Sequence, residues 1–206
     1  MPVLKWADDA KSVANALPAT AKVYFVAATL RPETMYGQTY CFVGPNITYG
    51  IFHGSDNDDY LVSSRSARNT ACQNIFTEWG VFSQVAEVSG KQVIGTLVEA
   101  PLSFHKAGIR NLPMETVTET KGTGIVTSVP SDSLDDYATI TDLTNKPDYY
   151  GIQKGIGGAR GRSYNRNTGI WRFNRSNPGP ETQGPISQRP QVRRAQGHRL
   201  QGGILQ

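Results

Sequence analysis

The stretch Ala28-Thr29-Leu30-Arg31-Pro32-Glu33-Thr34-Met35-Tyr36-Gly37-Gln38-Thr39 decides how the rest of this chain is read. Just before it, residues 22–29 (KVYFVAAT) form a continuous β-branched and aromatic run, which predicts a strand covered on both faces. Pro32 suits the first turn of a short helix, where its missing N–H is not needed. Beyond it, residues 39–43 (TYCFV), 47–52, 59–63, 80–88, 96–101, 109–113, 116–119 and 123–129 read as strands, separated by Gly, Pro or Asn. Residues 7–17 have helical spacing, with Asp8 and Asp9 in the first turn where the helix dipole favours acids. Residues 64–73 and 131–141 also read as helices. Many short strands with a few helices predict an α+β fold built on a mostly antiparallel, barrel-like sheet arrangement with peripheral helices. There is no internal repeat and no glycine loop of the dinucleotide or phosphate-binding type.

The net charge of +4 hides a division. Residues 1–154 carry 12 Lys and Arg against 16 Asp and Glu, a net of −4. Residues 155–206 carry 9 Arg, no Lys and the single acid Glu181, a net of +8, along with 10 Gly and 6 Gln. This segment has no periodic apolar face and too little apolar surface to offset its ordering entropy, so it is expected to be a disordered tail. The expected organisation is an N-terminal helix and linker at 1–21, an ordered domain at 22–154 and the Arg/Gly-rich tail at 155–206. Nine arginines without a lysine is an odd bias for an evolved basic tail, and an out-of-frame reading of a GC-rich gene would produce it. Arg and Gly interleaved with Tyr164, Trp171 and Phe173 would instead bind RNA by charge and stacking.

Several classes are set aside. The longest apolar runs are far too short to span a bilayer, and the first twenty residues lack an apolar signal core, so a cytoplasmic protein is expected. Cys41 and Cys72 are too few for a disulfide scaffold, and His53, His105 and His198 follow no zinc-ligand spacing; no metal is expected.

The second informative stretch is Lys121-Gly122-Thr123-Gly124-Ile125-Val126-Thr127-Ser128-Val129-Pro130-Ser131-Asp132-Ser133-Leu134-Asp135-Asp136-Tyr137. Together the two stretches resemble the editing insertion of the leucyl-, valyl- and isoleucyl-tRNA synthetases. There, a threonine-rich Arg-Pro-Glu/Asp-Thr peptide follows a buried strand, and a Gly-Thr-Gly strand leads through Val-Pro to an acid-rich helix start. Thr-Leu-Arg-Pro-Glu-Thr with Ser-Val-Pro-Ser-Asp-Ser points to the leucyl branch of eukaryotic cytosol. The resemblance runs from about residue 20 to 154, includes Leu112-Pro113-Met114-Glu115-Thr116, and stops after Lys154.

The resemblance implies hydrolysis of the ester of mischarged tRNA-Leu, with tRNA as partner, no cofactor for editing and a monomeric state. Asp136 is implied to anchor the α-ammonium group of the substrate, and such a charge-assisted hydrogen bond contributes about 1.5–3 kcal/mol. The residues alone leave another reading open, because Ser133-Leu-Asp-Asp136 also fits a capping box. Thr34 is implied to be the sieve whose branched side chain excludes leucine. An apolar pocket discriminates one methylene by only ~1–3 kcal/mol, so exclusion is needed. Thr29 is implied to orient water or the terminal ribose, giving Asp136 and Thr29 as the catalytic pair.

Thr34, Arg31, Gly124, Asp132 and Asp135 form the expected substrate-binding set. Arg31 either meets a tRNA phosphate or pairs with an acid such as Glu33. Gly122 and Gly124 let the backbone turn sharply or pass close to substrate. Asp132, Asp135 and Asp136 crowd one helix start, where mutual repulsion would raise at least one pKa. Many bacterial relatives have His-Asp where this chain has Asp132-Ser133.

The family's ATP-site signatures, His-Ile-Gly-His and Lys-Met-Ser-Lys-Ser, do not occur in these 206 residues. The chain is therefore expected to be a fragment that does not activate leucine; ATP belongs to the full-length family enzyme. Two other readings stand beside this one: a non-enzymatic RNA-binding protein acting through the tail, and a non-functional gene fragment.

Overall fold

The computed structural model describes residues 1–54 and 58–152, together with the backbone of two short strands at 162–165 and 170–173. All of these belong to the unit Met1–Arg175. In chain order the elements are β1 (Val3–Lys5), α1 (Lys11–Ala16), β2 (Lys22–Phe25), β3 (Tyr40–Val43), β4 (Thr48–His53), β5 (Asp58–Ser63), α2 (Ser64–Ala71), β6 (Ser83–Ser89), α3 (Gly90–Val93), β7 (Leu97–Val98), β8 (Ile109–Pro113), β9 (Ile125–Ser128) and α4 (Leu134–Asn145). An antiparallel pair follows, β10 (Arg162–Asn165) with β11 (Ile170–Phe173). The rest of the segment expected to be disordered lies outside the described residues.

The α+β class holds, with antiparallel pairings in the majority. The strands form two open sheets, β1-β7-β8-β3-β9 and β2-β5-β4-β6, and two pairings, β2–β5 and β3–β8, are parallel. Alternation along the strands builds the layers. Tyr49 and Ile51 of β4, with Phe25 and Leu61, pack against Cys41 and Val43 of β3, with Val98, Ile109 and Ile125, so the main core lies between the sheets. The opposite face of β3, Tyr40 and Phe42, packs with Leu112 and with Leu143 of α4. The opposite face of the other sheet, Phe52 and Val62, packs on Ala67 and Ala71 of α2. Strand β3 is buried at all four positions because it is sandwiched in this way.

The strand expected at 22–29 is shorter and lies at an edge. Lys22 is exposed and only Val23 and Phe25 are buried, since β5 is its one ladder partner and Pro2 forms a single bridge to Tyr24. Residues 1–21 also do more than link. Val3–Lys5 pairs with β7, and the expected helix at 7–17 is a 3-10 turn (Asp8–Ala10) followed by α1. Residues 116–119, expected as a strand, are turn and irregular chain, with the Val117 N–H donating to the Met114 carbonyl.

One buried side chain fixes the start of β9. The Tyr49 hydroxyl accepts from the Gly44 N–H at 3.0 Å and donates to the Gly124 carbonyl at 2.5 Å. Gly124 has φ 76°, and a Cβ there would stand 3.1 Å from Tyr49 Cε1 and 3.3 Å from Ser63 Cβ. Only glycine meets both conditions without strain. Tyr49→Phe strands two backbone groups in a fully buried site and is expected to cost about 1–3 kcal/mol of stability. Denaturant midpoints of the two proteins check this, and equal midpoints would remove the hydroxyl from the account.

Candidate active site

Between Thr29 and Thr39 the chain makes a tight turn whose centre is the backbone of Arg31. A 3-10 helix spans Pro32–Gly37 with the proline at its start. The Thr29 hydroxyl accepts from the Arg31 N–H at 3.1 Å, and the Thr34 hydroxyl donates to the Arg31 carbonyl at 2.7 Å. The two threonines therefore clasp one residue from either side, the local side-chain-to-backbone bonding that hydroxyl residues favour in turns. With its hydroxyl turned onto its own turn, Thr34 leaves the γ-methyl as the branch able to meet a ligand. Thr29 accepts through one lone pair and keeps its proton for another partner.

Arg31 is exposed, and no ion pair to Glu33 or to any other acid forms among the described residues. The salt-bridge alternative is therefore not realised there. Leu30 beside it is fully exposed.

Asp136 occupies the first turn of α4 and is 7% exposed. Ser133 caps the helix by accepting from the Asp136 N–H at 3.3 Å. The acid does not complete the reciprocal half of a capping box. The Ser133 N–H donates to the Val129 carbonyl, and the Asp136 carboxylate accepts from the Val129 N–H at 2.7 Å. The acid thus ties the helix start back to the residue immediately after β9. Its pKa is raised from the ordinary 3.8: burial is the main cause, the hydrogen bonds from Val129 and Ser133 oppose it, and Asp135 adds a small push upward. The raised acid expected from three crowded carboxylates is present, but desolvation dominates rather than repulsion. Asp132 and Asp135 are exposed, and Asp132 accepts from the Ser131 hydroxyl at 3.1 Å.

The β3–β9 pair brings the two motifs together. The Arg31–Gly37 turn enters β3 through Gln38 and Thr39, and the Thr39 N–H donates to the Ser128 carbonyl at 3.0 Å. Ser128 is followed by Val129, which holds Asp136. Segments about ninety residues apart thus converge on one end of a two-stranded ladder. Gly124 sits at the other end of β9, buried under Tyr49 and Ser63, with its carbonyl accepting from the Tyr49 hydroxyl. A groove lined by Gly44, Asn46, Glu115, Thr118 and Thr120 lies beyond the far end of β3, on the side of Gly124 and at the opposite end of the strand from the Thr34 turn.

Two participants were not found from sequence. The Val129 N–H carried no signal, because a backbone donor is invisible in residue identity. Tyr49 sat in an ordinary strand pattern. Cys41, buried in the core, has its thiol pushed up to about 12 by desolvation, so no thiolate is available for nucleophilic chemistry. No group of three or more His, Cys, Asp or Glu able to hold a metal occurs among the described residues.

The charge state of Asp136 gives a pH test. Its folded pKa exceeds the unfolded value of 3.8, so the folded chain binds more protons across that window. Stability contributed by this group falls as pH rises through the window. The decline is expected to vanish in Asp136→Asn, which keeps an oxygen for the Val129 N–H. Denaturation of both proteins across acid pH checks it, and parallel profiles would contradict it.

No family model matches the chain. Among curated proteins it is 52% identical over 155 residues to the cytoplasmic leucine–tRNA ligase of Neurospora crassa, covering 75% of this chain and 14% of that one. The Saccharomyces cerevisiae enzyme of the same name is 50% identical over 153 residues, covering 73% and 14%. The chain thus spans about one seventh of the length of these relatives. Among solved structures it matches GlLeuRS-CP1 with a TM-score of 0.67 and 38% identity, over 76% of this chain and 59% of that one. It also matches the editing domain of the P. knowlesi cytosolic leucyl-tRNA synthetase with a TM-score of 0.67 and 25% identity, over 78% and 66%. Among the described residues no helix is long and apolar enough to cross a membrane. By sequence and by fold, the chain is a homologue of the cytosolic leucyl-tRNA synthetases in the segment that forms their editing domain.

Proposed function

We propose that this chain binds the 3′ end of mischarged tRNA-Leu in the cytoplasm and hydrolyses its aminoacyl ester, acting as a monomer. The observation that carries the reading is the buried carboxylate of Asp136, pinned by Val129 at the end of the β3–β9 ladder where the Thr34 turn enters.

The chemistry follows from those positions. The carboxylate attracts the α-ammonium of the esterified amino acid and fixes where its carbonyl carbon lies. The Thr34 methyl limits the side chain that fits beside it. Thr29, with its proton uncommitted, donates to the attacking water or to the ribose. Water adds to the carbonyl carbon, the ester C–O bond breaks, and the ribose oxygen takes a proton, giving free amino acid and uncharged tRNA. A preorganised site needs no nucleophilic side chain for an ester already activated by its ribose leaving group. Arg31, exposed and outside any ion pair among the described residues, meets a phosphate of the acceptor end in this reading.

Incubating the purified chain with tRNA-Leu carrying a noncognate amino acid tests the proposal. Release of amino acid well above the uncatalysed rate is expected. No release by a chain shown to be folded would reject the hydrolytic activity.

A further inference from the structure

The strands β10 and β11 take no part in the chemistry above. Their register pairs Arg162 with Phe173, Ser163 with Arg172, Tyr164 with Trp171 and Asn165 with Ile170. Residues opposite each other on an antiparallel ladder share a face, and successive pairs take opposite faces. Arg162, Tyr164, Trp171 and Phe173 therefore occupy one face, and Ser163, Asn165, Ile170 and Arg172 the other. Tyr164, Trp171 and Phe173 are the three aromatic residues of 155–206, and the ladder gathers all of them on one face. A row of aromatic residues beside arginine is the kind of surface on which unpaired bases stack.

Location and charge select the occupant. Strand β10 lies against the 3-10 helix Pro32–Gly37, the turn that carries Thr34. Residues 160–175 contain five arginines and no acid, whereas residues 1–154 have a net charge of −4. A polyanion is attracted to the first segment and repelled by the second. The exposed Arg31 stands at the start of the same turn. An acidic peptide would answer the charge but not the row of aromatic residues; an unpaired RNA end answers both.

We propose that the β10–β11 face bearing Tyr164, Trp171 and Phe173 is a stacking platform for the unpaired 3′ nucleotides of tRNA, and that it delivers the esterified end to the Thr34 turn. Bases stack on the aromatic residues while Arg162 neutralises a phosphate between them. Each stacked base adds affinity whatever its identity, since every base has a π face. The delivery role rests on the hydrolytic reading of the site; the affinity for unpaired RNA does not.

The test measures binding of uncharged tRNA-Leu to the full 206-residue chain at fixed ionic strength, with the tRNA intact or trimmed of its unpaired 3′ nucleotides. The parent is expected to bind the intact tRNA about tenfold more tightly, or better. Tyr164→Leu/Trp171→Leu keeps apolar bulk and removes the rings. It is expected to bind intact tRNA about ten- to a hundredfold more weakly than the parent does, and trimmed tRNA equally well. Tyr164→Phe/Trp171→Phe and, on the opposite face, Asn165→Ala/Ile170→Ala are expected to match the parent. A folded leucine variant that binds intact tRNA like the parent would overturn the platform, as would equal losses from the two faces. A parent that binds both tRNAs equally would overturn it whatever the variants do. Hydrolysis of mischarged tRNA-Leu by the same proteins separates this proposal from the proposed function. A parent that distinguishes intact from trimmed tRNA but releases no amino acid rejects the hydrolysis and keeps the platform; hydrolysis without that distinction does the reverse.

Discussion

Asp136→Ala is expected to lower hydrolysis of mischarged tRNA-Leu by about ten- to a hundredfold or more, the equivalent of one charge-assisted hydrogen bond. The same change has a structural cost. The Val129 N–H loses its carboxylate acceptor, and a buried unpaired donor costs about 1–3 kcal/mol. Asp136→Asn separates the two effects. The amide oxygen still accepts from Val129 and the Ser133 cap is untouched, so the asparagine variant is expected to fold like the parent and still lose most of its hydrolysis. Steady-state rates beside denaturation midpoints distinguish them. An asparagine variant that is both stable and active would show that the carboxylate serves only to tie the helix to the strand.

Thr34→Ala is expected to do the opposite and create an activity: hydrolysis of correctly charged leucyl-tRNA-Leu. The hydroxyl holds the Arg31 carbonyl at 2.7 Å, so under the proposed function the γ-methyl is the group that meets the substrate side chain. Alanine removes both. Removing the branch opens room for the leucine side chain, and discrimination worth about 1–3 kcal/mol per methylene is the scale at stake. Thr34→Val keeps the branch and gives up the hydroxyl, so it is expected to go on excluding leucine while loosening the turn. The ratio of rates on leucyl and noncognate esters reads the sieve. If Thr34→Ala spares leucyl-tRNA as the parent does, the methyl is not what excludes leucine.

Much of this site was legible because its residues cluster in sequence. Thr29, Arg31 and Thr34 share one turn, and Asp132, Asp135 and Asp136 share one helix start; proline and serine mark both beginnings. Their convergence was legible only through resemblance, since nothing in either segment states that β3 pairs with β9. The competing reading of Asp136 as half of a capping box was half right in physical terms. Ser133 does cap the helix, but the carboxylate reaches back across Pro130 to a strand-end N–H, a tertiary contact that local spacing does not encode.

Strand assignments failed where burial, rather than propensity, decides. Residues 22–29 have the composition of a central strand, but β2 is an edge, while the doubly covered strand is the four-residue β3. Val3–Lys5 is too short for any periodicity to show, and it is a strand because β7 offers it a partner. Gly124 was expected in the substrate-binding set, its backbone turning sharply or passing close to substrate; the contact it makes, accepting from a tyrosine hydroxyl of the other sheet, required the fold.

The central claim is that the negative charge of Asp136 meets the positive charge of the substrate's α-amine. The most direct measurement is the hydrolysis rate of mischarged tRNA-Leu with its α-amine free or N-acetylated, in the parent chain and in Asp136→Asn. If the two charges meet, acetylation slows the parent strongly and the asparagine variant hardly at all, because the interaction has already been removed. If acetylation slows both proteins by the same factor, the carboxylate does not read the amine.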